Sequence, residues 1–231
     1  MLSLDYSECD FADAFQSCLL RGHGLTGLTE FSALYREVVC GQGRADFVAV
    51  AGDEQRPASW LGGCAPSLRL TESAAMLISL LKLRSPRTLD YLVRHSGLTC
   101  ETATRTLRDL LSASVVRKAT DSSYILGPTW KQPLGDLWAF ELKLHDWRRA
   151  LFQACQYQAF ADSVCIVMPD KQSSYTHVRP DVLSAVGVGL VLFDPYTSCV
   201  RVQVQPRRSR PASLQHVYYA HSSLTQMTQC Q

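Results

Sequence analysis

A short stretch of this sequence, F-E-L-K-L at residues 140–144, sets an acid and a base between apolar residues: Phe140, Leu142 and Leu144 alternate with Glu141 and Lys143. Strict alternation reads as a strand, and side chains two apart on a strand share a face. A carboxylate and an ammonium therefore stand side by side. Asp46 opens a second apolar strand, G-R-A-D-F-V-A-V-A-G. Hard cations such as Mg²⁺ take oxygen ligands, often one or two carboxylates plus waters. Asp46 and Glu141 on adjacent strands could supply them, with the Leu142 carbonyl as a third oxygen. A cation held there would polarise a phosphate and lower the pKa of bound water. The Lys143 ammonium would stabilise developing negative charge. This is the chemistry that phosphodiester hydrolysis needs. Gln153 and Tyr157 lie four apart on the next helix, so they share a face and could orient water or hold a phosphate. E-x-K by itself is common, and on an exposed strand it is usually a solvated pair.

The elements that must position these residues are legible in outline. Helical patterns run near 7–20 and 29–40, before the strand that carries Asp46. The tract 53–67, rich in Gly, Pro and Ser, reads as a linker. The segment H-D-W-R-R-A-L-F-Q-A-C-Q-Y-Q-A-F-A-D reads as a helix capped by Asp146. S-V-C-I-V-M-P, 163–169, is a continuous apolar run, as expected of a strand covered on both faces. Pro180 to Val186 reads as a short helix, and G-L-V-L-F-D with V-R-V-Q-V-Q-P as a final hairpin. The tail after 221, rich in Gln and Ser, is expected to fray.

Residues 70–127 have a different texture. T-E-S-A-A-M-L-I-S-L-L-K-L-R reads as a first helix. S-P-R-T-L-D-Y-L-V-R-H-S-G reads as a second, with Ser85 as cap, Pro86 at the first helical position and Gly97 at the end. A third helix follows Thr99, with an apolar stripe at Ala103, Leu107, Leu110 and Leu111. V-V-R-K-A-T-D-S-S-Y-I-L-G completes the stretch as a hairpin. Three helices and a hairpin resemble a winged helix-turn-helix domain, whose third helix would be the recognition helix. Opposite the stripe, the sequence places Glu101, Thr102, Arg105, Thr106 and Arg108 outward, with Arg117 and Lys118 on the hairpin. Short polar side chains and arginines suit base edges and phosphates. The stretch holds eight Lys or Arg against five Asp or Glu. The excess is weak, so a protein partner contacting this domain stays open beside DNA.

An acid near the start of one strand, then E-x-K on the next, then a helix and a buried strand, resembles the core of the PD-(D/E)xK nuclease superfamily. The matching residues are Asp46, Glu141 and Lys143, and Gln153 with Tyr157 resembles the Q-x-x-x-Y of its RecB-like branch. The resemblance implies that Asp46 and Glu141 hold Mg²⁺ or Mn²⁺ and that Lys143 positions or activates the attacking water. Glu37, on the preceding helix, matches an extra acid of many members. The implied fold is α/β (α+β), a restriction-endonuclease-like mixed central sheet flanked by helices. The nuclease-like core would comprise 1–69 and 128–231, interrupted by the winged helix at 70–127. The implied function is DNA cleavage, in defence or repair. The alternative is a non-catalytic DNA-binding or regulatory protein on the same scaffold. Cutting both strands takes two active sites, which makes a homodimer plausible.

Bulk properties bound these readings without choosing among them. The chain has 231 residues, 46% hydrophobic and 19% charged, with a net charge of +2. Such a charge argues little for nucleic acid by itself. The acidic N-terminus does not resemble a secretory signal, and no apolar run is long enough to span a bilayer, so a cytoplasmic location is expected. Nine cysteines, widely spaced and without a C-x-x-C pair, suggest reduced and mostly buried thiols rather than a zinc site.

Overall fold

A computed structural model describes residues 6–21, 31–41, 43–51, 70–128, 130 and 136–227. The linker tract at 53–67 lies outside the described residues. The chain divides into two compact units.

The first unit is a mixed six-stranded sheet with helices. Its elements are α1 (Glu8–Arg21), β1 (Phe31–Val39), β2 (Arg44–Ala51), β6 (Asp136–Leu142), α5 (Trp147–Tyr157), β7 (Ser163–Pro169), α6 (Gln172–Tyr175), α7 (Pro180–Val186), β8 (Gly189–Asp194) and β9 (Cys199–Val204). The strand order is β1-β2-β6-β7-β8-β9. β6, β7 and β8 run parallel, and the remaining neighbours pair antiparallel. All seven residues of β7 are buried, as its unbroken apolar run predicts for a central strand. Phe11 and Phe15 of α1 cover one face, in a cluster with Phe47, Phe140 and Phe193. The pleat sends alternate residues the other way, so Asp46 and Glu141 point to the opposite face. Asp146 caps α5 through the Arg149 amide, at 3.0 Å.

Residues 31–39 form a strand, although the helical pattern at 29–40 suggested otherwise. Leu34 and Val38, four apart, imitate a helical stripe. The eight-residue partner β2 decides the matter, because it pairs with the segment from Phe31 opposite Ala51 to Val39 opposite Arg44. Tyr, Val and Phe in the segment also suit a pleated surface.

The second unit contains α2 (Glu72–Leu80), β3 (Arg87–Thr88), α3 (Leu89–Ser96), α4 (Cys100–Ser112), β4 (Val116–Thr120), β5 (Ser123–Leu126) and α8 (Leu214–Leu224). Its three strands are ordered β3-β5-β4. Leu77, Leu92, Ala103, Leu107, Leu110 and Val115 share its core. Thr99 caps α4 through the Thr102 amide, and Gly97 ends α3 at φ 70, a left-handed conformation that glycine adopts without penalty. The start of α3 differs from expectation. Arg87 and Thr88 pair with Tyr124 and Ser123, so the residues after Ser85-Pro86 are drawn into the small sheet. Thr88 becomes the cap and accepts from the Tyr91 amide.

Thr106 also departs from its expected place. It is buried at 7% exposure, because Ala103, Thr106, Leu107 and Leu110 fall at i, i+3, i+4 and i+7 on one helical face. The sequence after 221 is likewise more ordered than expected. Residues 221–224 continue α8, where His221 and Ser222 are buried, Ser222 Oγ accepts the Leu70 amide at 2.9 Å, and Tyr218 meets Trp130 edge-on. Cys18, Cys40 and Cys165 are buried, but Cys9, Cys100, Cys155 and Cys199 are exposed. No helix among the described residues is long and apolar enough to cross a membrane.

Candidate functional site

Strand pairing brings Asp46 to Glu141. Phe47 lies opposite Phe140 on β2 and β6, so one further step in the same register sets Asp46 against Glu141. Asp46 Oδ2 accepts the Leu142 amide at 2.7 Å, a bond between residues 96 apart in sequence. On the other side of β2, the pairs Arg36–Phe47 and Val38–Ala45 bracket Glu37 and Asp46. Glu37, Asp46 and Glu141 thus form a row across three neighbouring strands. Like charges opposite one another destabilise a sheet, so such a row persists only with countercharges.

Two basic groups supply them. Lys143 Nζ lies 2.8 Å from Glu141 Oε1 and 3.0 Å from the Leu142 carbonyl oxygen. Arg44 Nε lies 2.7 Å from Glu37 Oε2, whereas Arg36, which also lines the pocket, pairs with Asp13 of α1. Glu37 sits in a strand, not a helix, and holds φ at 57. A left-handed non-glycine residue costs on the order of 1–3 kcal/mol, and such strain gathers at functional sites.

Glu141 has no solvent exposure. A buried carboxylate is tolerable only when paired and hydrogen-bonded. Lys143 gives the ion pair, and the Tyr157 hydroxyl donates to Oε2 at 2.6 Å. The same hydroxyl lies 2.8 Å from the Arg44 carbonyl, so Tyr157 ties α5 to both β2 and β6. Burial, then the Glu141 carboxylate, push the Tyr157 phenol well above its ordinary value, and it remains a hydrogen-bond donor. Gln153 lines the pocket from α5, and its Oε1 is buried without a hydrogen-bond partner among the described residues.

The pocket measures about 480 Å³ and is lined by Glu37, Arg44, Asp46, Glu141, Lys143 and Gln153, together with residues of α1. The candidate residues of the first unit, Glu37, Asp46, Glu141, Lys143, Gln153 and Tyr157, thus line or support one pocket. Arg44 is a member the sequence reading missed. Its signal was available, because it stands two residues before Asp46 and so shares its face.

Burial, followed by the negative charge of Glu141, raises the Asp46 carboxyl from 3.8 to about 6. A raised acid binds its proton more tightly in the folded state. Wild type therefore loses stability as pH rises from the unfolded value through about 6. Asn keeps an oxygen for the Leu142 amide and carries no charge. At pH 7 Asp46→Asn should be more stable than wild type by about 1–2 kcal/mol, discounted for the open pocket. The advantage should shrink below pH 6 and vanish near pH 4. Urea unfolding across that range measures it, and a gain that grows on acidification would refute the assignment.

The chemistry of the donors can be tested against a metal. Among the described residues, no three His, Cys, Asp or Glu groups converge tightly enough to hold an ion between them. Mg²⁺ needs fewer, since one or two carboxylates and waters suffice. Asp46 Oδ1 takes no hydrogen bond among the described residues, and Glu141 Oε1 has the Lys143 ion pair but no aligned hydrogen bond. Those two oxygens fit a hard cation. The Leu142 carbonyl, expected as a third ligand, accepts from Lys143 instead.

In the second unit, Arg105 and Arg108 are exposed on α4, and Arg117 and Lys118 are exposed on β4. Thr102 is half-buried, with its hydroxyl bonded to that of Thr99 at 2.9 Å. Thr104 occupies the exposed face where Thr106 was expected and lines a shallow hollow with Arg105 and Arg108. The sequence matches no family model and no curated protein.

Proposed function

We propose that this protein is a metal-dependent deoxyribonuclease that hydrolyses phosphodiester bonds at the Asp46–Glu141–Lys143 pocket. The supporting observation is the cross-strand row of carboxylates, with a buried glutamate held between Lys143 and Tyr157. In this reading the sheet is a restriction-endonuclease-like core and the second unit a winged helix that grips DNA. The biological setting would be defence against foreign DNA or its repair, with a homodimer cutting both strands.

Asp46 Oδ1 and Glu141 Oε1 would hold the cation. Bound there, Mg²⁺ or Mn²⁺ supplies Lewis-acid activation of phosphate and water. Lys143, released from Glu141, stabilises negative charge on the phosphoryl oxygens. Tyr157 keeps the Glu141 carboxylate oriented, as a partner behind a ligand does. Gln153 presents an unpaired amide oxygen to the pocket, suited to orienting a water. Arg44, at the pocket, would offer countercharge to the flanking backbone.

One observation favours a non-catalytic DNA-binding protein instead. The Lys143 ammonium already engages Glu141 and the Leu142 carbonyl, so the site is internally neutralised. Incubation with linear, circular and branched DNA, with Mg²⁺ or Mn²⁺ and with a chelator, separates the two. Cutting with metal and none with chelator supports the nuclease. Binding without cutting on every substrate selects the alternative.

Arg105 tests the grip on DNA. Arg105→Ala should weaken DNA binding more at low salt than at high salt and reduce the slope of log affinity against log salt by about one. Anisotropy titrations over a salt series measure this. An unchanged low-salt affinity would assign the surface to a protein partner.

A further inference from the structure

The exposed ridge of α5 has no part in the site described above. Phe152 is 68% exposed, an unusual position for a large aromatic ring on a helix. Isolated exposed apolar residues are common and need no explanation alone. This one has a particular setting. Arg148 and Arg149, four and three residues earlier, are exposed on the same side of the helix. Arg149 makes no salt bridge among the described residues, and Arg148 lies over the Trp147 ring at 5.3 Å. α5 carries two arginines and no acid, so the ridge combines a bare aromatic face with positive charge.

The ridge is rigidly linked to the candidate site. Trp147, Ala150, Ala154 and Tyr157 bury the inner face of α5. Gln153, next to Phe152, lines the pocket, and Tyr157 holds Glu141. Adjacent residues stand about 100° apart around a helix, so a strand leaving the pocket past Gln153 and over the edge of α5 meets the ridge.

We infer that Phe152 is a stacking platform for an unpaired nucleobase of a DNA strand lying in the pocket, with Arg148 and Arg149 taking the adjoining phosphates. This rests on the nuclease reading above and specifies its substrate as single-stranded or locally unpaired DNA. Single-strand sites combine cations that track the backbone with aromatic rings that accept any base, and both are present on this ridge. A protein partner would find an apolar contact of one side chain between two arginines, whereas a nucleotide offers a ring for the one and a phosphate for the others.

The test reads binding in the presence of a chelator, so it does not depend on metal or cleavage. Labelled single-stranded and duplex oligonucleotides are titrated with wild type, Phe152→Ala and Phe152→Tyr, each checked for an unchanged melting temperature. Phe152→Ala should weaken single-strand binding by about ten-fold or more, the range set by loss of one base–aromatic stack. Phe152→Tyr should stay within two-fold of wild type, and duplex affinity should change less than two-fold in both variants. Unchanged single-strand affinity of Phe152→Ala would overturn the inference and point to another partner. So would an equal loss on duplex, or a Phe152→Tyr variant as weak as Phe152→Ala. Failure of the nuclease reading would appear separately, as no cutting with any metal.

Discussion

Glu141→Gln should stop metal-dependent DNA cleavage, by roughly a thousand-fold, while DNA affinity in chelator stays as in wild type. The change removes one negative charge at a fully buried position and keeps the side-chain shape. Gln can still accept the Tyr157 hydrogen bond, so α5 keeps its place against β6. The negative charge that attracts a cation beside Asp46 is lost. A bound cation contributes several kcal/mol of transition-state stabilisation, and each ~1.4 kcal/mol is ten-fold in rate. The measurement is single-turnover cleavage by wild type and variant in Mg²⁺, with melting curves to show that both are folded. Cutting by Glu141→Gln at the wild-type rate would remove Glu141 from the site.

Lys143→Met should cost about 3–5 kcal/mol of folding stability at neutral pH, because it leaves the buried Glu141 carboxylate without its countercharge. Met fills much of the space of the lysine stem, so packing changes little. The same substitution in a Glu141→Gln background should cost far less, since no buried charge is then orphaned. A double-mutant cycle by urea unfolding reads the difference, and simple additivity would show that the pair does not couple. The pH dependence has a definite sign. Burial alone would lower the Lys143 pKa, but the close contact and charge of Glu141, aided by Asp46, overcome it and raise the ammonium above its ordinary value. A lysine raised in the folded state contributes stability that is complete below the unfolded value and lost as pH passes the folded one. On the alkaline side, wild type and Lys143→Met should therefore converge only at strongly alkaline pH. A gap that closes as pH rises from 7 to 9 would contradict this.

Tyr157 and Asp46 show how the site joins local and distant information. Gln153 and Tyr157 were legible as one helical face, and Asp146 as the cap that starts the helix. That the Tyr157 hydroxyl would reach Glu141 and the Arg44 carbonyl depends on where α5 lies across the sheet. Arg44 shares a face with Asp46 by its spacing alone, but its pairing with Glu37 depends on β1 lying beside β2.

What the sequence alone determined here is short-range. The 3-4 spacing on α4, the Thr99 cap, the Gly97 stop, the unbroken apolar run of β7 and the shared face of Glu141 and Lys143 are each written within about a dozen residues. Backbone geometry imposes these relations whatever the rest of the chain does. Tertiary structure decided the matters that need a partner. It made 31–39 a strand by supplying β2, moved the start of α3 to Thr88 by supplying β5, and buried Thr106 in the core of the second unit. It also placed Asp46 against Glu141 through the β2–β6 register. A strand has no hydrogen-bond partners of its own, so its identity and register come from a neighbour that, in this chain, is encoded far away.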